Sequence, residues 1–251
     1  MGLFDLFKKK ETDDGVPWSL RRKIKRAHSK FSPAEERQAA LQSLAEDGSP
    51  PAVAALIRRF TFYVEPLTTD ERERDYVYDR LLDFGKEKTV PPLIRSIRES
   101  DSIQWQLRLF HDLASEEEVL ETLLEIIEGY DTEYEKNPQR KIQIIGALGE
   151  WKSERVAQVL LRFLEDVDEE VRYQTVQSLL SQDPEITRDR LMDLALADAS
   201  NRIRDLVIDG FVEHAVSIKG YPQRKQFEDL LGDAFSIDKQ GVIRRRPPKS
   251  R

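Results

Sequence analysis

The chain has 251 residues, of which 39% are hydrophobic and 35% are charged, and its formal net charge is −7. It has no cysteine, which excludes disulfides and thiolate metal sites and favours a reducing compartment. No apolar run reaches the roughly 20 residues of a membrane-spanning helix, and the N-terminus lacks the charge order of a secretory signal. We therefore expect a cytoplasmic protein with much surface per residue.

The N-terminal segment, residues 1–16, begins MGLFDLFKKK and combines apolar side chains with lysines. As a helix it would place the apolar residues on one face, which is typical of segments that lie on a membrane surface or dock in a groove. The free energy gained by burying the apolar side chains nearly equals the entropic cost of ordering the backbone. We therefore expect weak, reversible docking, with a frayed end as the alternative. The candidate docking residues are Leu3, Phe4, Leu6, Phe7, Lys8, Lys9 and Lys10.

Charge is unevenly distributed along the chain. Residues 1–30 contain nine Lys/Arg and four Asp/Glu and carry +5, residues 220–251 contain eight and four and carry +4, and the remaining 31–219 carry −16. Basic ends on an acidic body are typical of interaction tails. A solvated surface with basic ends that aid solubility is an equally good interpretation.

The acidic body contains an internal repeat. Residues 154–180 have the apolar spacing of two consecutive amphipathic helices, and DVDEE between them supplies a turn with carboxylates at the second helix start. In four of the six copies a basic residue opens the second helix, and in all six an apolar closing residue lies seven positions after that site. The basic residues are Arg37, Lys141, Arg172 and Arg204; the closing residues are Leu44, Phe84, Leu113, Leu148, Leu179 and Phe211.

Two copies depart from this pattern, because Val77 and Gln106 occupy the basic position. The repeat nevertheless predicts six helical hairpins, at residues 17–46, 50–85, 89–114, 116–149, 153–182 and 186–215. Prolines lie near most of the predicted helix starts, where their missing N–H costs nothing. The long second copy contains VEPLTTDERER, which we interpret as an extended loop between the helices.

The motifs D-V-D-E-E-V-R (166–172), A-L-G (147–149), D-A-S-N-R-I-R (198–204) and V-P-P-L-I (90–94) resemble the HEAT-repeat family, in its short bacterial form of about 30 residues. The resemblance implies an all-α superhelix, a HEAT solenoid, over residues 17–219. Residues 220–235 are predicted to form a capping helix over the last hairpin. Residues 236–251 alternate around a D-K-Q-G turn and end in a basic tail, which predicts a small β-hairpin and an extended end, with a disordered terminus as the equal alternative for the tail.

The predicted solenoid implies two groups of functional side chains. The basic residues Arg37, Lys141, Arg172 and Arg204 lie near the acidic turns, so we assign them to stacking between hairpins. The second helices of such a fold form a concave wall whose side chains can vary without disturbing the core. On that wall we expect Trp105, Arg108, His111, Gln143, Tyr173, Gln174, Gln177, Asp205 and Asp209. Trp105 could instead pack between hairpins as a core residue.

Catalysis has little support in the sequence. The three histidines lie far apart, and there is no HExxH, glycine-rich phosphate loop or G-x-S-x-G. We therefore expect no enzyme activity, no cofactor and no metal site, and we favour a scaffold whose acidic wall binds a protein with a basic or neutral surface. The alternative is a nucleic-acid-associated protein that uses its basic ends. In its sharpest form it would resemble the HEAT-like DNA glycosylases, with Trp105 or Trp151 meeting the base.

Overall fold

The computed structural model describes residues 16–247, which are predominantly helical. They fall into two compact units, one ending at Ser115 and one beginning at Glu116. The all-α fold class predicted from the sequence is confirmed. The predicted docking residues of the N-terminal segment and the last four residues of the basic tail lie outside the described part of the chain.

The first unit contains α1 (Trp18–Ala27), α2 (Ala34–Asp47), α3 (Pro50–Arg58), α4 (Leu67–Glu99) and α5 (Gln104–Leu113). The second contains α6 (Glu116–Glu128), α7 (Gln139–Leu148), α8 (Glu154–Leu161), α9 (Glu169–Leu180), α10 (Pro184–Ala197), α11 (Asn201–Glu213), α12 (Arg224–Leu231) and the strands β1 (Phe235–Ile237) and β2 (Ile243–Arg245).

Helix α4 belongs to two hairpins because its backbone breaks at Gly85. This residue has φ 73° and ψ 177°, a conformation that a side chain would strain. The first arm of α4 pairs with α3 and the second arm with α5. Together with α1/α2, α6/α7, α8/α9 and α10/α11, these pairs are the six predicted hairpins, which are therefore confirmed.

The stretch VEPLTTDERER is not the extended loop that we expected, because α4 begins at Leu67. Most of its polar residues lie in the first turns of a helix. The Asp70 carboxylate accepts a hydrogen bond from the Val64 backbone N–H at 3.0 Å and is buried with that turn. Periodicity missed this helix because its buried face begins with charged side chains rather than apolar ones.

The closing residue of the second hairpin is Leu81 rather than the predicted Phe84. Leu81 is fully buried, as is Val77, whereas Phe84 is only half-buried. Leu113 is likewise half-buried, and Leu109 and Phe110 supply the core of the third hairpin. In the other four hairpins the predicted closing residue is fully buried.

His28 joins the first two hairpins of the first unit. Its ring N–H donates to the Ala55 carbonyl oxygen at 2.8 Å. Burial lowers the pKa of the imidazole and outweighs this hydrogen bond, which by itself would raise it. The positive charges of Arg58 and Arg59 lower the pKa further. A lowered pKa in the folded state means that the unfolded state binds the proton more tightly. The stability contributed by neutral His28 is therefore present above the unfolded pKa of about 6.5 and is lost as the pH falls below it.

We expect the free energy of unfolding to fall more between pH 7 and pH 5 in the wild-type protein than in His28→Gln. Urea titrations of both proteins at several pH values measure this difference. His111 and His214 are present in both proteins, so their contributions cancel. Equal pH dependence in the two proteins would contradict the assignment.

Gly149 lets the fourth and fifth hairpins approach closely in the second unit. A Cβ at this position would lie 2.6 Å from Ser178 Oγ and 3.0 Å from Ser178 Cα, which cannot move without shifting the backbone of α9. Gly149 has φ −61°, so alanine would not be strained there by its own backbone. The substitution is therefore opposed only by the steric clash between the new Cβ and Ser178.

Gly149→Ala is therefore expected to lower the free energy of unfolding by about 1–3 kcal/mol, although alanine is the better helix former. The matched control is Gly129→Ala, whose Cβ would meet only the Ile126 carbonyl oxygen at 3.4 Å. Thermal unfolding followed by circular dichroism compares the two variants. A stabilising effect of Gly149→Ala would show that the hairpins are not packed this closely.

The last hairpin is covered by α12 and the strands. Phe227 of α12 is fully buried, with its ring centroid 6.3 Å from that of Phe211 on α11. The strands pair antiparallel with Ile237 opposite Ile243, and Ile243 is also buried. A lid of this kind shields the apolar end of a repeat array from water.

Candidate functional site

The basic residue at the start of each second helix makes polar contacts close to or across a seam between hairpins. In the first unit the Arg37 Nη2 lies 2.8 Å from Glu73 Oε1, which joins α2 to α4. In the second, Lys141 Nζ lies 2.9 Å from Asp166 Oδ2, an acid of the next hairpin. Sequence reasoning assigned Arg37 and Lys141 to stacking, and these are the contacts on which that assignment depends.

Arg172 and Arg204 occupy the same position in the last two hairpins. Arg172 Nε lies 2.7 Å from Asp198 Oδ2 in the following hairpin, and Arg172 Nη1 donates to the Asp166 carbonyl oxygen. Arg204 has no repeat after it, and it donates to its own hairpin, to the Asp198 carbonyl oxygen at 3.2 Å and Asn201 Oδ1 at 2.9 Å. The basic residue at this repeat position therefore hydrogen-bonds the turn of its own hairpin even where no further hairpin follows.

The contacts with Arg172 change the pKa of the Asp198 carboxyl. Burial by itself would raise its pKa, but hydrogen bonds from the Arg172 guanidinium and the Ser200 backbone N–H outweigh burial and hold the pKa below its usual value. Asp198 therefore stays ionised across the physiological pH range. The Arg172–Asp198 pair is partly exposed, so its net contribution to stability is modest.

The second hairpin has an arginine at this position, which corrects the assignment of Val77. The repeat places the basic residue seven positions before the closing residue. Since Leu81 is the closing residue of this hairpin, the basic position is Arg74. Val77, three residues after Arg74, is a core residue. In the third hairpin Gln106 holds the position as predicted. It is buried, and its amide donates to Ser96 Oγ at 3.3 Å.

Arg74 belongs to a buried ionic cluster, which we define as Arg37, Arg59, Asp70, Glu73 and Arg74. Glu73 accepts from Arg37 and also from Arg59 Nε at 2.8 Å. Asp70 accepts from Arg59 Nη2 at 2.7 Å and lies 3.0 Å from Arg74 Nε. All five side chains are almost completely buried.

Sequence reasoning missed four of these five residues. The available signal was the spacing of Asp70, Glu73 and Arg74, which continues the apolar face of Val77 and Leu81 toward the start of α4. Charged residues on an apolar stripe indicate buried pairs. Arg59 carries no such signal, because it follows the last residue of α3 and stands between Arg58 and Phe60.

The predicted wall residues of the first unit lie together on α5. The Trp105 ring stacks on Phe60 with a centroid distance of 5.6 Å and meets the edge of Tyr78 at 6.0 Å. The Arg108 guanidinium is exposed and lies 4.7 Å from the Tyr78 ring centroid. Trp105 is half-buried, so it packs between hairpins on one side and still presents surface on the other.

Other side chains on and beside α5 make contacts within the first unit. The Tyr78 hydroxyl donates to the Asp112 carboxylate. Burial and this hydrogen bond raise the pKa of Tyr78 far above its ordinary value, so the phenol stays protonated. His111, also predicted for the wall, is half-buried on the same helix.

The predicted wall residues of the second unit are distributed over α7, α9 and α11. Tyr173 is half-buried under the Arg202 guanidinium, which lies 3.8 Å from its ring centroid. Asp209 is exposed and bonded to Arg245 of β2 at 2.5 Å. Of the others, Gln143 and Gln174 are half-buried, and Gln177 and Asp205 are exposed.

Two clefts of about 480 and 580 Å³ lie between α3 and the second arm of α4. Both are lined by Ala54, Pro92 and Arg95, and sequence reasoning did not predict either of them. They involve first helices of their hairpins, not the predicted wall. In residues 16–247 no three His, Asp or Glu side chains are grouped so as to hold a metal ion, and no helix of that part is long and apolar enough to cross a membrane.

Comparison with known proteins agrees with the repeat. A family model described as HEAT repeats matches residues 120–210. No curated protein matches the chain. The matched residues are the stacked hairpins that run from α6 to α11. This part of the chain is therefore similar to the HEAT-repeat family.

Proposed function

We propose that the protein is a non-enzymatic scaffold that binds a protein partner through the exposed faces of its second helices. HEAT repeats commonly mediate protein–protein interaction. The hairpins shield one another's apolar sides, so the outward side chains of the second helices are available for recognition. No cofactor or metal takes part in this function.

The observation that carries the proposal is the arrangement of Trp105 and Arg108 on α5. Tryptophan, tyrosine and arginine dominate binding energy at protein interfaces, particularly where neighbours hold them in place. Phe60 and Tyr78 hold the Trp105 ring, and Tyr78 lies under Arg108. These anchors therefore lose little side-chain entropy when a partner binds.

Tyr173 is a second anchor, in the other unit, and its surroundings favour a partner with a neutral or basic surface. Arg202 lies over Tyr173 and pairs with Glu170, so its charge is largely neutralised. Asp209 is likewise neutralised by Arg245. Asp205 and the three wall glutamines Gln143, Gln174 and Gln177 leave a polar surface with a small negative charge.

Three further expectations belong to this proposal. The protein acts in the cytoplasm. Residues 3–10 dock weakly and reversibly on a membrane or on a partner. The basic C-terminal end serves the fold in part, because Arg244 pairs with Asp238 and Arg245 with Asp209.

Quantitative affinity capture from the native cell tests the proposal. Tagged wild-type protein is compared with Arg108→Ala and with Arg95→Ala, its matched control. Both arginines are exposed and belong to the third hairpin, but Arg95 lies on the first helix. We expect at least one captured protein to fall about tenfold or more in Arg108→Ala and to remain unchanged in Arg95→Ala.

Gln177→Ala repeats the comparison in the second unit, since Gln177 is exposed on α9 and its truncation leaves the core intact. Equal recovery of every captured protein by wild-type and wall variants would contradict the proposal. Tight binding of duplex DNA at physiological salt would also contradict it and would favour the nucleic-acid alternative. Salt titration distinguishes such binding from weak attraction to the basic ends.

A further inference from the structure

Helix α1 is strongly basic. The ten residues WSLRRKIKRA contain five arginines and lysines and no acidic residue, and Lys30 follows shortly after. Two large apolar side chains accompany these cations. Trp18 is 73% exposed and Phe31 is 99% exposed.

These side chains lie away from the core of the hairpin. Leu20 and Ala27 are the buried residues of α1 and point toward α2 and α3. Trp18, Arg22 and Lys25 are spaced at i, i+4 and i+7 and lie on the opposite side of the helix. The Arg22 guanidinium is 5.9 Å from the Trp18 ring centroid, so cation and aromatic ring form one surface.

Several exposed arginines of the second unit have acidic partners, and the cations of this surface differ from them. Arg155, Arg190 and Arg202 of the second unit are all paired with glutamates. Among residues 16–247, by contrast, no carboxylate pairs with Arg22, Lys25 or Lys30, whereas Arg26 pairs with Glu36 at 3.3 Å. We name Trp18, Arg22 and Lys25 of the helix, together with Lys30 and Phe31 of the segment that follows it, the α1 face.

We propose that the α1 face docks on the surface of an anionic lipid bilayer. Unpaired cations are attracted to negatively charged headgroups, and exposed tryptophan and phenylalanine partition into the interface between headgroups and acyl chains. A nucleic-acid duplex would satisfy the charge but offers no apolar layer in which the fully exposed Phe31 could be buried.

This inference is independent of the proposed partner-binding wall, which consists of other residues on other helices. It is also distinct from the predicted docking of residues 3–10, since it assigns membrane contact to the folded first hairpin. Each cation near an anionic bilayer contributes about fivefold in affinity, and burying one large apolar side chain partway contributes about as much. Docking by this surface is therefore reversible and sensitive to salt.

Co-sedimentation of the full-length protein with vesicles tests the proposal. The vesicles contain phosphatidylcholine alone or phosphatidylcholine with 30% phosphatidylglycerol. We compare Arg22→Gln/Lys25→Gln with Lys152→Gln/Lys225→Gln, which removes the same charge at exposed lysines of the second unit. Trp18→Ser tests the apolar contribution, and circular dichroism verifies that every variant is folded.

We expect binding to anionic vesicles only, reduced on the order of 25-fold in the α1 double variant and about fivefold in Trp18→Ser. The control double variant is expected to bind within about threefold of wild type. Three results would overturn the proposal: no binding to anionic vesicles, equal losses in both double variants, or binding that disappears when residues 1–15 are deleted but is unaffected by the α1 variants. A short RNA or DNA duplex that displaces the protein at equimolar concentration would assign the α1 face to nucleic acid instead.

Discussion

Glu73→Gln is expected to lower the free energy of unfolding by about 3–5 kcal/mol, the largest effect that we predict for a single conservative substitution in the first unit. The Glu73 carboxylate is the shared partner of Arg37 and Arg59, both of which are buried. Glutamine keeps the shape of the side chain but removes its charge. The two guanidinium groups would then remain in a dry environment with only Asp70 as a nearby carboxylate.

The matched control is Glu71→Gln, which makes the same chemical change two residues earlier on α4, at an exposed position. Its expected effect lies within about 0.5 kcal/mol of zero. Urea unfolding followed by tryptophan fluorescence measures both, since Trp18 and Trp105 lie in the first unit. Similar stabilities of the two variants would show that the ionic cluster is solvated rather than buried.

Lys141→Met is expected to destabilise the protein by about 3–5 kcal/mol, for a related reason in the second unit. Methionine can fill the space of the lysine stem, but Asp166 would lose the cation 2.9 Å from its Oδ2. Asp166 is buried, so water cannot take the place of that cation. The Asp131 carbonyl oxygen would also lose a hydrogen bond from Lys141 Nζ.

Arg204→Met is the control, because it removes a cation at the equivalent position of another repeat. Arg204 is only half-buried and donates to carbonyl oxygens and to Asn201, so its loss leaves no buried carboxylate without a partner. We expect it to cost about 1 kcal/mol. Equal losses for Lys141→Met and Arg204→Met in urea titrations would mean that burial does not decide the contribution of this position.

The six hairpins could be predicted from the sequence because apolar spacing is a property of each helix separately. Residues 154–180 show this most clearly, since both helices have regular apolar faces and their turn contains acidic caps. The prediction went wrong in the second hairpin. There Asp70, Glu73 and Arg74 occupy the buried face in place of apolar residues, so the start of α4 was interpreted as a loop and the repeat was aligned three residues too late.

The sites were less predictable because they depend on contacts between residues far apart in the sequence. The basic residue at the start of the second helices could be recognised because it recurs in the repeat. The acid with which it pairs could not be recognised. Arg37 meets an acid 36 residues away, whereas Arg204 meets only its own hairpin. Similarly, the sequence indicates that Trp105 is a candidate anchor, but only the structure shows that Phe60 and Tyr78 hold its ring.

Hydrogen–deuterium exchange of the protein with and without its captured partner tests the central claim most directly. We predict that the partner slows amide exchange in the second helices of the hairpins, with the strongest effects in α5, α9 and α11. The first helices α3, α6, α8 and α10 are expected to exchange as they do in the free protein. Slowed exchange confined to those first helices, or to the clefts beside Arg95, would contradict the account.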